Sequence, residues 1–281
     1  MGDFAVDTAV RGDGGRYTAT LSRDWEIWGP NGGYVAAILL RAAGAHSGLP
    51  RPASLALHFL GSAAFDEVQM ETVTLRAGKR SHSVRVSMRQ GDRAIAEAVV
   101  WTVSDDTAGP EFDWTTMPEV PGPEGLTPLD ELLAESGQDA HRFWQNLELR
   151  PLQWMTQEEW ETLRPVEPRL RAWCRFRPTA VFDDPYVEAA RVAVLLDTEG
   201  WPAAAQALPP DATGQWIAPN MDVAITFHQP PAGAEYLLID MAAPISVHGL
   251  IGAQGQVWSP DGRLLGSGVQ QMLFRETAPP V

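Results

Sequence analysis

Cysteine and long apolar segments are both nearly absent from this sequence. Cys174 is the only cysteine in 281 residues, which excludes an intramolecular disulfide and a thiolate metal cluster. No run of about 18 apolar residues occurs, so no membrane-spanning helix is expected. The N-terminus is polar and acidic, unlike a secretory signal. These absences predict a protein of the reducing cytoplasm with no membrane partner.

Positive charge is also scarce. The chain has 21 lysines and arginines against 36 acidic residues, a formal net charge of −15. A nucleic-acid-binding protein needs a basic surface, so nucleic acid is not an expected partner. An anionic ligand would require a local group of cations. The composition, 44% hydrophobic and 20% charged, suits a globular chain of one large or two modest domains.

The apolar patterns predict two similar halves. In each half a strand-like stretch precedes an apolar helix, and four further strand-like runs follow that helix. Residues 104–127 are rich in proline and acidic side chains, which is typical of a linker, and a helix is predicted over 128–143. We therefore divide the chain into an N-terminal unit, 1–104, a linker, 105–138, and a C-terminal unit, 139–281.

The two halves can be aligned with each other. "SLALHF" (Ser54–Phe59) aligns with "DVAITF" (Asp222–Phe227) at an offset of 168 residues. "GDRAIAEAVVWTV" (Gly91–Val103) aligns with "DGRLLGSGVQQML" (Asp261–Leu273) at an offset of 170. Such a duplication predicts an α+β fold of two antiparallel sheets, each wrapping a central helix, joined edge to edge as a pseudo-dimer.

Two polar residues occur in one copy only. Asp222 stands where the first copy has Ser54, and Gln270 stands where it has Val100. An unpaired carboxylate is costly to bury. Asp222 is therefore expected either to be a hydrogen-bonded structural residue or to have a function, and the sequence leaves both alternatives open.

A glycine pair stands at the start of the first apolar helix, in "WGPNGGYVAAILLRAA" (Trp28–Ala43). Asn31 is a good N-cap, but glycine costs about 1 kcal/mol against alanine inside a helix. Gly32 and Gly33 therefore suggest that something lies against bare backbone. Either a ligand oxygen approaches the amides at the helix start, or the helix start packs tightly against a neighbouring element.

Several motifs in order resemble one known family. They are Asn-Gly-Gly opening an apolar helix, "ASLALHFLGSA", "TLRAGKRSHSVRV", "NMDVAITFHQPP" and "SPDGRLLGSGVQQMLFR", together with the duplication. Over residues 16–103 and 169–275 the chain resembles the acyl-CoA thioesterase II group, the double-hotdog thioesterases. The resemblance implies hydrolysis of a fatty acyl-CoA to free acid and CoA, with acyl-CoA as partner and no metal or cofactor. It also leads us to expect a homo-oligomer.

The resemblance also implies a catalytic set. Family members use an Asp, a Gln and a hydroxyl residue that together hold and activate a water. The matching positions here are Asp222 and Gln270, and we expect their side chains to share one water in a single site per chain. The hydroxyl position holds Pro244, and Ser246 is the nearest hydroxyl residue. The missing hydroxyl leaves an alternative open, a non-catalytic hotdog protein that binds acyl-CoA or lipid.

The expected thioesterase activity also suggests which residues bind the substrate. The helix amides after Asn31, at Gly32 and Gly33, are the expected oxyanion site. Arg76, Lys79 and Arg80 could hold CoA phosphates, although a solvated charged hairpin explains them equally well. The acyl chain is expected between helix and sheet, beside Val35–Leu40.

The sequence leaves two interpretations of one tryptophan-containing segment. "LRPLQWMTQEEWETLRP" contains Trp154 and Trp160, and it is typical either of interdomain packing or of an aromatic platform for a ligand.

Overall fold

The computed structural model describes residues 1–137, 140–163, 165–209 and 212–277. Seven helices lie in this part of the chain: α1 Phe4–Asp7, α2 Gly32–Ser47, α3 Leu129–Glu135, α4 Gln157–Thr162, α5 Pro185–Thr198, α6 Gly200–Ala205 and α7 Ala212–Gln215. The strands of the first half are β1 Arg11–Asp13, β2 Arg16–Thr20, β3 Arg51–Phe59, β4 Glu67–Ala77, β5 Ser81–Gln90 and β6 Arg93–Val103. Those of the second half are β7 Leu147–Pro151, β8 Arg169–Phe176, β9 Trp216–Ile217, β10 Asn220–Phe227, β11 Tyr236–Val247, β12 Leu250–Trp258, β13 Leu264–Leu273 and β14 Arg275–Glu276.

Twelve of these strands form one antiparallel sheet. Its order is β1-β2-β4-β5-β6-β3-β10-β13-β12-β11-β8-β7. Helix α2 packs on the strands of the first half and α5 on those of the second, and the two helices also contact each other. The predicted α+β double-hotdog fold is therefore confirmed. None of the described helices combines the length and apolar character needed to cross a membrane.

The two halves join through the pairing of β3 with β10. In this ladder Ala56 lies opposite Ala224. These two residues are also 168 positions apart, the offset that aligns the repeats. A residue thus pairs with its own copy, so the pseudo-twofold axis passes between them. The pairing covers the open edge of each half, as expected for sheets that would otherwise expose unpaired backbone.

The two central helices approach each other closely at glycines. The start of α2 is capped by Asn31, whose side-chain oxygen accepts a hydrogen bond from the amide of Tyr34 at 2.9 Å. A Cβ added to Gly33 would lie 2.6 Å from the Cα of Val194 on α5. At the other end, a Cβ on Gly44 would lie 2.7 Å from the ring of Tyr186. The antiparallel helix pair therefore needs glycine at both ends of its contact.

The linker covers the outer face of the second half. Buried Trp173, Leu238, Trp258 and Leu264 form an apolar cluster on that face, and linker side chains pack over it: Met117, Val120 and Leu126. The indole nitrogen of Trp173 also donates a hydrogen bond to the carbonyl of Pro121 at 2.8 Å. A segment without strong periodicity is thus held in place by apolar burial.

The helix predicted over 128–143 is shorter in the structure. Helix α3 ends at Glu135, and Gly137 has a φ of +69°, which suits glycine and ends the helix. Residues 138 and 139 lie outside the described residues, so the boundary drawn there stays a prediction. After them the chain leads to the edge strand β7, which was not among the strands predicted from the sequence.

We predict that Gly33→Ala destabilises the protein. The new methyl group would overlap the backbone of Val194, and overpacking of this kind costs about 1–3 kcal/mol, more than the roughly 1 kcal/mol that alanine gains in helix propensity. Urea unfolding would measure the change. Gly214→Ala in α7 is the control, because a Cβ there meets nothing within 4 Å. Equal or greater stability of Gly33→Ala would contradict the close packing.

Candidate active site

The structure does not bring Asp222 and Gln270 together. Asp222 lies opposite Gln271 in the ladder, and Gln270 lies opposite Val223. Because paired residues share a face and neighbours alternate, Asp222 and Gln270 point to opposite faces of the sheet. Asp222 accepts a hydrogen bond from the amide of Gln271 at 3.1 Å on the outer face. The expectation that these two side chains share one water is therefore wrong.

A different carboxylate lies at the end of α5, directly after Leu196, whose carbonyl is hydrogen-bonded to Gln270. Asp197 is only 4% exposed. The side-chain nitrogen of Asn220 donates a hydrogen bond to its carboxylate at 2.8 Å. Burial raises the pKa of Asp197 to about 6, although Asn220 and the backbone amide of Gly33 act in the opposite direction. At neutral pH the group is therefore an ionised carboxylate that can accept a proton.

Gln270 reaches this position from β13. Its side chain is buried, and its amide nitrogen donates a hydrogen bond to the carbonyl of Leu196 at 3.0 Å. That carbonyl belongs to the peptide bond that precedes Asp197. The carboxamide oxygen is buried and has no hydrogen-bond partner among the described residues. Gln270 thus presents a free acceptor close to the end of α5, as a water-orienting residue must.

The start of α2 closes the site from the first half. A Cβ on Gly32 would lie 2.8 Å from both carboxylate oxygens of Asp197. Asn31 also connects the halves, because its side-chain nitrogen donates to the hydroxyl of Thr198 at 3.1 Å. The glycine pair therefore has two uses. Gly33 allows α5 to pack closely on α2, and Gly32 leaves room for the carboxylate of Asp197.

A local signal for Asp197 was present in the sequence. In "VAVLLDTEG" it is the first charged residue after an apolar helical run. A carboxylate at a helix C-terminus faces the negative end of the helix dipole, which disfavours it. An acidic residue that is both buried and placed at that end is costly, so its presence indicates a function. The alignment of the repeats could not show this, because it compared strands only.

Ser246 and Pro244 both lie on exposed parts of β11. Ser246 pairs with Ile251, which in turn pairs with Met272. Ser246 is thus two strands away from Gln270 and two residues further along the sheet, a separation of about 12 Å at ordinary strand spacing and residue rise. The structure does not bring its hydroxyl to Gln270. The buried hydroxyl of Thr198 lies closer to Asp197 in sequence and contacts Asn31.

The three cations expected to bind CoA lie at the other end of the first half. His46, in the last turn of α2, contacts Thr74 on β4 at 2.8 Å, and Arg76, Lys79 and Arg80 follow in the β4–β5 hairpin. Helix α2 has 16 residues and so spans about 24 Å. Their contact with CoA phosphates stays a prediction. It requires the nucleotide to lie one helix length from the glycine pair.

The space for a large apolar group lies in the second half. Val35–Leu40 are fully packed, with exposures of 0–4%. A cleft of about 930 Å³ instead opens between α6, the edge strand β7 and its neighbour β8. It is lined by apolar side chains that include Leu149, Leu170, Trp144, Trp154 and Trp160. Of the two interpretations of the tryptophan segment, the cleft favours a surface for a ligand.

The pseudo-symmetric position in the first half is filled. The twofold places the end of α2 and the start of α5 there, where the ring of Tyr186 packs on Gly44. Tyr186 is buried, and its hydroxyl donates to the carbonyl of Leu49 at 2.7 Å. Val100, fully buried, stands where the second copy has Gln270. The polar arrangement therefore occurs at one of the two related positions.

The chain matches models of known protein families in both halves. A model described as the acyl-CoA thioesterase N-terminal domain matches residues 21–103, and one described as the acyl-CoA thioesterase C-terminal domain matches residues 123–274. The chain belongs to the acyl-CoA thioesterase family. The resemblance seen in the sequence motifs is thereby confirmed. Among curated proteins, none matches this family member.

Solved structures share the fold of this thioesterase-family chain. A tesB protein of Mycobacterium avium subspecies paratuberculosis is 24% identical with a TM-score of 0.74, covering 99% of this chain and 98% of that one. An acyl-CoA thioesterase II, TesB2, of Mycobacterium marinum is 18% identical with a TM-score of 0.76, at 98% and 99% coverage. A hotdog protein of unknown function from Alicyclobacillus acidocaldarius is 20% identical with a TM-score of 0.76, at 99% and 98% coverage.

For this thioesterase-family chain we predict that stability falls as pH rises toward 8. Burial raises the pKa of Glu199 from 4.5 to about 8. A raised pKa in the folded state adds stability that is fully present below 4.5 and lost as pH rises through 8. Each unit of pKa shift corresponds to ~1.4 kcal/mol, so Glu199→Gln should be a few kcal/mol more stable than the native chain at pH 9.

Urea unfolding between pH 5 and 9 measures this difference. Glu199→Gln should keep only the pH dependence that Asp197 produces below about pH 6. Glu71→Gln on the exposed side of β4 is the matched control, and it should follow the native curve. Parallel curves for Glu199→Gln and the native chain would show that the buried carboxyl is not the cause.

Proposed function

We propose that this protein hydrolyses an acyl-CoA thioester to the free acid and CoA at the site formed by Asp197, Gln270 and the start of α2. One observation supports this most strongly. Asp197 is a buried carboxylate with a raised pKa, and it directly follows the residue whose carbonyl accepts a hydrogen bond from the buried carboxamide of Gln270. The oxygen of that carboxamide has no partner among the described residues. Family membership supplies the substrate class, and this geometry supplies the base that Asp222 cannot provide from the opposite face.

The reaction follows from the chemistry of these groups. Gln270 orients a water with its free carboxamide oxygen, and Asp197 takes a proton from that water as it attacks the thioester carbon. The carbonyl oxygen becomes an oxyanion near the positive end of the α2 dipole. When the carbon–sulfur bond breaks, the thiolate of CoA leaves and takes the proton back from Asp197. Atoms and charge then balance as acid plus CoA.

Thr198 supplies a hydroxyl in this arrangement. It follows Asp197 directly and is buried, whereas the position that resembles the family hydroxyl holds Pro244. The contact with Asn31 keeps this hydroxyl at the junction of the two halves. In our proposal Thr198 helps to hold the helix ends in place around the water, so it is a positioning residue and not a base.

We expect Asp197→Asn to reduce kcat by about 10²–10⁴-fold, the usual contribution of a general base. Gln270→Ala should also lower kcat, because the water loses its orienting acceptor. Asp222→Asn is the matched control on the opposite face of the sheet, and it should stay within a few-fold of the native rate. Release of free thiol from acyl-CoAs of graded chain length, followed photometrically, gives all three rates.

The outcomes separate the possibilities clearly. Loss of activity in Asp222→Asn with a normal rate in Asp197→Asn would show that Asp222 is the base, as the family resemblance implies, and would overturn our assignment of Asp197. If the native protein binds acyl-CoA stoichiometrically without releasing thiol, the non-catalytic alternative, which the exposed Pro244 motivates, replaces hydrolysis.

The rate should also depend on pH in a defined way. Since Asp197 acts only when it is ionised and its pKa is raised to about 6, kcat/KM should rise with pH up to about 6 and then level off. Glu199→Gln should keep this limb, because Glu199 titrates higher. A rate that stays constant from pH 5 to 8 would be incompatible with Asp197 as the base.

A further inference from the structure

Glu199 is a buried acid that the hydrolysis reaction does not use. Its side chain is 0% exposed, and neither carboxyl oxygen has a hydrogen-bond partner among the described residues. Burying such a group without a partner costs free energy. Native proteins leave few polar groups in this condition, so the position of Glu199 calls for a ligand that supplies the partner.

Glu199 lies in the wall of the 930 Å³ cleft between α6 and strands β7 and β8. The lining also contains apolar and aromatic side chains, among them Leu149, Leu170 and Trp144, and charged ones, among them Arg169 and Arg171. Ligand sites usually combine an apolar lining with a few polar groups that orient the ligand. Both arginines are paired with Asp240, whereas the oxygens of Glu199 have no partner among the described residues, so Glu199 can play this part.

The cleft begins next to the proposed catalytic site. Asp197 and Glu199 are two residues apart, so their Cα atoms are at most about 7.6 Å from each other. Gly200 packs directly against the carboxamide of Gln270, where a Cβ would collide with its nitrogen. The cleft wall at Glu199 and Gly200 therefore adjoins Gln270, and in our proposal the acyl group of a substrate whose thioester lies at this glutamine extends past Glu199 into the cleft.

We propose that the acyl group bound in this cleft carries a hydroxyl, and that the carboxyl of Glu199 recognises this hydroxyl by hydrogen bonding. The proposal rests on the proposed thioesterase function and specifies its substrate class as hydroxylated acyl-CoAs. Glu199 is then a specificity residue for the acyl group.

The protonation state of Glu199 favours a hydroxyl over other polar groups. Burial raises its pKa to about 8, so near pH 7 it is mostly a neutral carboxyl that both donates and accepts. A hydroxyl can pair with both functions. An ammonium group would need the ionised form, and the cleft already contains the guanidinium groups of Arg169 and Arg171. An unsubstituted alkyl chain would leave both oxygens of Glu199 without partners.

Discrimination of this kind can be large. A site that is built to hydrogen-bond a substrate hydroxyl rejects the analogue lacking it, because the buried polar group is left unpaired. We therefore expect kcat/KM to be at least about tenfold higher for a hydroxylated acyl-CoA than for the unsubstituted one of equal length. Glu199→Leu should remove this preference by improving the unsubstituted substrate and weakening the hydroxylated one.

The experiment compares alkyl, hydroxyalkyl, oxoalkyl and aminoalkyl CoA thioesters of equal chain length. Thiol release gives kcat/KM for the native protein, for Glu199→Leu and for the control Glu71→Leu, which changes an exposed acid on β4. A preference for the hydroxylated chain that Glu71→Leu keeps and Glu199→Leu loses supports the proposal. Thermal unfolding verifies that both variants fold. Glu199→Gln, whose carboxamide also donates and accepts, should keep the preference for the hydroxylated chain.

Other results overturn it in distinguishable ways. Hydrolysis without preference, a preference for the oxo or amino chain, or a preference that survives in Glu199→Leu would each refute the hydroxyl proposal and leave hydrolysis established. If no thioester is hydrolysed, the proposed function fails. The binding of the same four acyl-CoAs, measured by calorimetry, then tests hydroxyl recognition by itself. Tighter binding of the hydroxylated chain that depends on Glu199 would support recognition, and equal binding would refute it.

Discussion

The close contact between α2 and α5 is the constraint on which the site depends. Gly33 lets the backbone of α2 lie against Val194 of α5, and the antiparallel arrangement then places the N-terminus of one helix beside the C-terminus of the other. The two ends carry opposite partial charges, so the junction is electrostatically favourable. It also brings the amide of Gly33 toward Asp197. A site shared by both halves follows from the way the halves pack.

The duplication creates two related junctions, and sequence divergence has made them different. At one junction the space holds Tyr186 and Val100, so it is filled. At the other, Asp197 and Gln270 bring polar groups into the same kind of position. In our proposal, a single fold thus supplies one junction for packing and one for chemistry. The pairing of Ala56 with Ala224 shows that the backbone symmetry has been kept where the side chains have diverged.

The fold could be predicted from sequence more completely than the site. Apolar periodicity located both central helices and the long strands, and the duplication predicted that the two sheets would join edge to edge. Gln270 was also identified, because it differs from its copy Val100 within an aligned strand. Asp197 was missed since it lies at a helix end, outside the aligned strands, and Asp222 was chosen although its strand alternation points it away from Gln270. Which face a strand residue occupies depends on register, and a one-residue error reverses it.

The same helix end carries two buried acids, Asp197 and Glu199, and both are held in environments that oppose ionisation. Asp197 has donors around it and can still ionise near neutral pH. Glu199 has none among the described residues, and its pKa is raised further. Two carboxyls two residues apart are therefore suited to different tasks, one to accept a proton from water and one to remain a neutral hydrogen-bonding group. Neither placement favours the folded state, so both are best understood as stability given up for the chemistry and selectivity of the site.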